Sequence, residues 1–94
     1  MPELIDILKA LSDKTRFRII NLLLEDRYCV KSIARKLHLT EACISQHIKI
    51  LKEAGLLKGE KRGYFIHYDV VPDSFYSAIK GLEELIGRIG MRNS

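Results

Sequence analysis

Ninety-four residues carrying 16 Lys and Arg against 12 Asp and Glu, a formal charge of +4, predict one small domain over 1–94 and exclude two independent cores. Two cysteines are too few for a disulfide framework, and no apolar run nears the ~18 residues of a membrane span. With no signal peptide to read, the expectation is a cytoplasmic protein with reduced thiols and no membrane partner.

After Pro2, Leu4, Ile5, Leu8 and Leu11 recur at helical spacing and predict a short first helix. Ser12 or Asp13 caps a second, with a stripe of Phe17, Ile20, Leu23 and Leu24 that Ile19 broadens. Glu25-Asp26-Arg27 is a polar break. Val30, Ile33, Ala34 and Leu37 then line one face of a third helix, and Lys31, Arg35 and Lys36 lie off that stripe. The turn falls at His38-Leu39-Thr40, where His38 suits a left-handed position better than most residues. Thr40 is an N-cap for a fourth helix, and Glu41 suits its first turn. That helix buries Ile44, Ile48 and Leu51, and Gly55 stops it. Its opposite face carries Ala42, Ser45, Gln46, Lys49 and Glu53.

Leu56 to Glu60 is a short strand, and Lys61-Arg62-Gly63 a turn with glycine for a positive φ. Tyr64 to Val70 alternates as a second strand, with Ile66, Tyr68 and Val70 on one face and Phe65, His67 and Asp69 on the other. Pro72 and Asp73 open the last helix, Asp73 as the capping candidate. Phe75, Ile79, Leu82, Ile86 and Ile89 form its apolar line, which Leu85 widens. Gly81, Gly87 and Gly90 lower its helix propensity but permit close helix approach. One core cannot use the stripes of both terminal helices. The surplus (Leu4, Leu8, Phe75, Ile79, Leu82, Ile86, Ile89) therefore predicts a homodimer interface.

The resulting architecture is mainly α with one β-hairpin, in the order α-α-α-α-β-β-α, a winged helix-turn-helix. Its positive charge is local. Val30 to Gly63 hold eight Lys or Arg and three acidic residues, net +5, whereas the remainder, eight against nine, nets −1. That concentration fits a phosphate-binding surface, and the expected partner is double-stranded DNA. Gln46, Ser45 and Lys49 are the candidates for the major groove, with Ala42 on the same face. Thr40, His47, Lys52, Lys61 and Arg62 are the candidates for phosphates and the wing.

Several stretches resemble the ArsR/SmtB winged-helix repressors. Leu11-Ser12-Asp13-Lys14-Thr15-Arg16-Phe17-Arg18-Ile19 is similar to that family's entry into its second helix. Ile44-Ser45-Gln46-His47-Ile48-Lys49-Ile50-Leu51 is similar to its recognition helix. Glu53-Ala54-Gly55-Leu56-Leu57 and Gly63 to Tyr68 resemble the strand and wing that follow. The resemblance implies a homodimer built from the terminal helices and an operator of two half-sites. It also implies repression relieved by a metal, a metalloid, a thiol-reactive species or another small-molecule signal. The family's sensing sites are not matched. Its Cys-Val-Cys motif here reads Cys29-Val30-Lys31, with Ala34 at the place of a further Cys. Its ligand set on the last helix retains Asp73, but Phe75, Ile86 and Ile89 stand where other ligands would be. Apolar side chains cannot bind Zn²⁺, so neither a metal site nor any cofactor is expected.

Among single residues, His47 is expected to contact the DNA backbone or anchor its helix, and His67 is a strand residue. Cys43 is expected to be a small buried hydrophobe. Cys29, before a helix start and beside Lys31, is the candidate thiol sensor. A thiol-responsive repressor acting through Cys29 and a protein-interaction winged helix without DNA binding are the alternative functions. No nucleophile-base-orienter set, phosphate-cradling glycine loop or apolar carboxylate pair is present, so an enzyme is not expected.

Overall fold

Caps and left-handed residues divide the chain where the sequence places them. The computed structural model describes residues 3–93, so Pro2 lies outside the described residues. The elements run α1 (Leu4–Leu11), α2 (Lys14–Glu25), α3 (Val30–Leu37), α4 (Glu41–Glu53), β1 (Leu57–Arg62), β2 (Phe65–Val70) and α5 (Pro72–Asn93). Asp13, rather than Ser12, caps α2, accepting the Arg16 backbone N–H at 3.0 Å. Thr40 Oγ1 accepts the Cys43 N–H at 3.1 Å and caps α4. His38 ends α3 at φ 57°, and Leu39 N–H then donates to the Ala34 carbonyl at 3.0 Å. Gly55, at φ 74°, ends α4 in the same way, with Leu56 N–H on the Leu51 carbonyl at 2.9 Å.

Ile7, Ile19, Ile33, Ile44, Ile48, Leu51 and Leu56 are fully buried, so α1 to α4 and the approach to β1 share one core. The faces of α3 and α4 are as predicted. Those of α1 and α2 are rotated. In α1 the inward residues are Ile7 and Ala10, and Ile5 and Leu8 face out. In α2, Ile19 and Ile20 are buried while Phe17 and Leu24 are 54% and 67% exposed. Both helices have more apolar residues than one face can hold, so the neighbours they pack on decide which are covered.

The hairpin is antiparallel and in register from Leu57↔Val70 to Arg62↔Phe65. Its turn is therefore Gly63-Tyr64, and Lys61 and Arg62 belong to β1 rather than to the turn. A two-residue turn that starts with a positive-φ glycine (φ 63° here) closes the ladder later than the three-residue turn predicted. Tyr68 and Val70 lean on the core, whereas Ile66 reaches past it into solvent.

Pro72 is itself the first residue of α5, and Asp73 lies in the first turn rather than capping it. Just inside the helix, buried Ser74 donates its hydroxyl to the Gly55 carbonyl at 2.6 Å, which pins α5 to the exit of α4. A Cβ on Gly81 would lie 3.1 Å from Leu4 Cδ2, so that glycine allows α1 and α5 to touch. Among the described residues, nothing lies within 4 Å of such a Cβ on Gly87 or Gly90, because the second half of α5 runs past the core.

The Arg16 backbone N–H bond, helped by the Arg16 charge, holds the Asp13 carboxyl below its usual pKa, against the opposing effect of burial. Removing the cap with Asp13→Ala is expected to cost about 0.5–2 kcal/mol. A lowered folded-state pKa means the carboxylate's contribution is present above the unfolded-chain value, about 3.9, and is lost as pH falls through the folded value. Thermal melts of wild type and Asp13→Ala should therefore differ at pH 7 and converge only as the pH falls below the lowered folded-state value.

Candidate nucleic-acid interface

The buried line of α4 determines what its other side presents. With Ile44, Ile48 and Leu51 facing inward, Ala42, Ser45, Gln46, Lys49 and Lys52 are exposed. Ser45 and Gln46 offer hydroxyl and amide groups, and Lys49 a cation one turn later, with exposed Ile50 at the edge of the face one turn beyond Gln46. Such a surface can follow base edges in a major groove. Glu53 is exposed at the end of the same helix.

Four of the five remaining predicted DNA contacts are already partly engaged within the chain. Thr40 Oγ1 serves as the cap acceptor but keeps its own O–H to donate. Lys52 Nζ sits 6.0 Å from the centroid of the Tyr68 ring, leaning from α4 toward the hairpin. Arg62 pairs with Glu60 at 3.3 Å, but both are well exposed, and such a pair exchanges readily for a phosphate. Lys61 is exposed two residues before the turn. His47 is half-buried, with Nδ1 3.3 Å from the Arg16 guanidinium.

Two features escaped the sequence reading. Tyr64 is fully exposed at the hairpin tip, with Phe65 and Ile66 also largely exposed beside it, so the wing is aromatic as well as basic. The signal was the run Tyr64-Phe65-Ile66 immediately after Gly63. A cleft between the starts of α3 and α4 and this hairpin is lined by Lys31, Ser45, Tyr64 and Tyr68, among others. The second missed residue is Arg16, whose contacts span three helices and which no local pattern distinguishes from any other helical arginine.

Of the residues predicted for the dimer, Leu8, Ile79, Leu82, Ile86 and Ile89 are uncovered by their own chain. Leu4 and Phe75 are half-buried against the core. Among the described residues, no three or more His, Cys, Asp or Glu form a group that could hold a metal ion. No described helix is long and apolar enough to cross a membrane.

Residues 13–58 match the model of the bacterial regulatory protein arsR family. An HTH-type transcriptional regulator of Methanocaldococcus jannaschii is 40% identical over 81 residues, spanning 85% of this chain and 91% of that protein. This chain belongs to the ArsR family. It is a winged-helix, DNA-binding transcriptional regulator. The arsenical resistance operon repressor of Escherichia coli is 36% identical over 81 residues, covering 85% of this chain and 69% of the repressor. Among solved structures, an ArsR-like transcriptional regulator from Rhodococcus superposes with a TM-score of 0.84 at 27% identity, covering 95% of this chain and 84% of that one. Within this family, the two alternative functions read from the sequence are not favoured.

Cys29 has a chemistry of its own in this ArsR fold. It is the N-cap of α3, and its Sγ lies 3.3 Å from Ser32 Oγ. The Ser32 hydroxyl, followed by the Ser32 backbone N–H, holds the thiol below its usual pKa, with burial opposing. In Ser32→Ala the pH midpoint for alkylation of Cys29 by iodoacetamide, followed by peptide mass spectrometry, should move upward. An unchanged midpoint would remove Ser32 as the cause.

Proposed function

We propose that the protein is a homodimeric repressor whose whole chain, 1–94, acts as one unit on a DNA operator of two half-sites. The observation that carries the reading is the two-faced α4: a buried Ile44-Ile48-Leu51 line and an exposed Ala42-Ser45-Gln46-Lys49 face, beside a basic, aromatic hairpin. In this reading Gln46, Ser45 and Lys49 enter the major groove, and Ala42 allows close approach to the bases. Thr40, His47, Lys52, Lys61 and Arg62 meet phosphates on either side, the last two from the wing.

The dimer follows from α5. Ile79, Leu82, Ile86 and Ile89 line one side of a 22-residue helix, about 33 Å long, and stay exposed in the isolated chain. Such an apolar strip on a small protein favours a second copy as its cover. The arsenical resistance operon repressor is a repressor by name, and we extend that sense of regulation to this chain.

Gln46→Ala is expected to cost about 1–3 kcal/mol at the preferred site and to relax base preference. Arg62→Ala should instead weaken all sequences alike and reduce the slope of log affinity against log salt by about one. Binding-site selection from a random duplex library, followed by titration at several salt concentrations, separates the two. A Gln46→Ala protein that ranks sequences as wild type does would place the reading face elsewhere.

Leu82→Glu or Ile86→Glu would bury an unpaired carboxylate in the interface and should yield monomers in sedimentation equilibrium, where wild type sediments as a dimer. Wild-type monomers at micromolar concentration would contradict the assembly.

A further inference from the structure

The guanidinium of Arg16, in the first turn of α2, touches two other helices. Nε donates to the Ala10 carbonyl at 2.7 Å and Nη2 to the Lys9 carbonyl at 3.2 Å. Both carbonyls belong to the last turn of α1, where the helix itself supplies no donors. Nη1 lies 3.3 Å from Nδ1 of His47, midway along α4. One rigid fork therefore joins the exit of α1 to the recognition helix. α1 and α4 also meet directly through the shared core, and beside that contact they border an open groove lined by Asp6, Lys9, Glu53 and Ile50, with Arg16 in its wall as the polar link between them.

The chemistry of the fork also orients His47. A guanidinium only donates, so Nδ1 must accept, and the neutral ring then carries its proton on Nε2. Asp13 Oδ1 stands 4.0 Å from Nδ1, too far for a hydrogen bond, and instead accepts the Arg16 backbone N–H at 3.0 Å. Asp13 thus fixes the backbone from which the fork projects. Three of its five guanidinium N–H groups are thus engaged within the protein.

We propose that Arg16 is a positioning residue for operator spacing: it holds α4 at a fixed angle to α1 and so fixes the separation of the two recognition helices in the dimer. The proposal rests on the homodimeric, two-half-site reading above. In such a dimer α1 stands with α5 on the terminal-helix side, and each α4 reaches DNA through its attachment to that platform. One inserted base pair displaces a half-site by about 3.4 Å and turns it by about 35°. A stiff α1–α4 joint resists that change, and a loosened one accommodates it.

The test uses the duplex that wild-type protein selects from a random library, the same duplex with one base pair added or removed at its centre, and a single half-site. Wild type should lose about tenfold or more in affinity on either respaced duplex. Arg16→Ala and Arg16→Lys should bind the single half-site within about twofold of wild type and keep its salt slope. Their loss on the respaced duplexes should shrink below about threefold. Lysine keeps the charge but cannot bridge Lys9, Ala10 and His47 at once. Should Arg16→Ala fail to fold in a thermal melt, Arg16→Lys alone decides the outcome. The proposal is overturned if Arg16→Lys retains the wild-type spacing penalty. It is also overturned if Arg16→Ala weakens every duplex equally and flattens the salt slope, which would make Arg16 a phosphate ligand. If wild type selects no duplex, the DNA-reading assignment itself fails; a selected site without two-fold halves removes the dimer on which the spacing argument depends.

Discussion

Burial of Ile44, Ile48 and Leu51 is the constraint on which the rest of the molecule depends. These three side chains turn α4 so that its polar side faces solvent, and each helix before it contributes to the pocket they fill. Ile7 comes from α1, Ile19 and Ile20 from α2, and Ile33 and Ala34 from α3. Removing one of these side chains would leave a cavity costing about 2–5 kcal/mol, a large share of the 5–15 kcal/mol that hold a small domain together. The DNA-reading surface is thus the reverse side of the core. Its polar residues need no support of their own, because the buried side already fixes the helix in rotation.

Beyond that core the chain is held by discrete polar links. Ser74 ties α5 to the carbonyl of Gly55, and Val71 N–H reaches the Leu56 carbonyl, so the end of the recognition helix and the start of α5 form one joint. Arg16 and Asp13 make a corresponding joint where α1 turns into α2. Hydrogen bonds are more directional than apolar contact, and those of the Arg16 and Asp13 joint are strengthened by charge, which suits them to fixing angles between helices. The two joints flank α4, which is the element whose orientation DNA recognition would be most sensitive to.

The hairpin and the outer half of α5 are incomplete when the chain is taken alone. Tyr64, Phe65 and Ile66 stand in solvent on a two-stranded ribbon, and Leu82, Ile86 and Ile89 stand in solvent on a helix that outruns the core. Neither exposure helps the isolated chain. Both make physical sense for a protein that meets a nucleic acid with one end and a second copy of itself with the other.

The sequence by itself determined the element order, the punctuation by Thr40, His38 and Gly55, and the buried and exposed faces of α3 and α4. Those features are local, set by capping chemistry, backbone conformation and one unambiguous apolar stripe per helix. Family membership was legible for a related reason: the motifs Leu11 to Ile19 and Ile44 to Leu51 carry it over short contiguous stretches. Only the tertiary structure decided which side of α1 and α2 is covered. Ile5, Leu8, Phe17 and Leu24 compete with Ile7, Ala10, Ile19 and Ile20, and only the packing partners choose between them. It alone placed Lys61 and Arg62 in a strand, because register depends on pairing across the hairpin rather than on turn residues alone. It alone brought Arg16 to His47, 31 residues apart, since no periodicity encodes a contact between two helices that meet only after the core has closed.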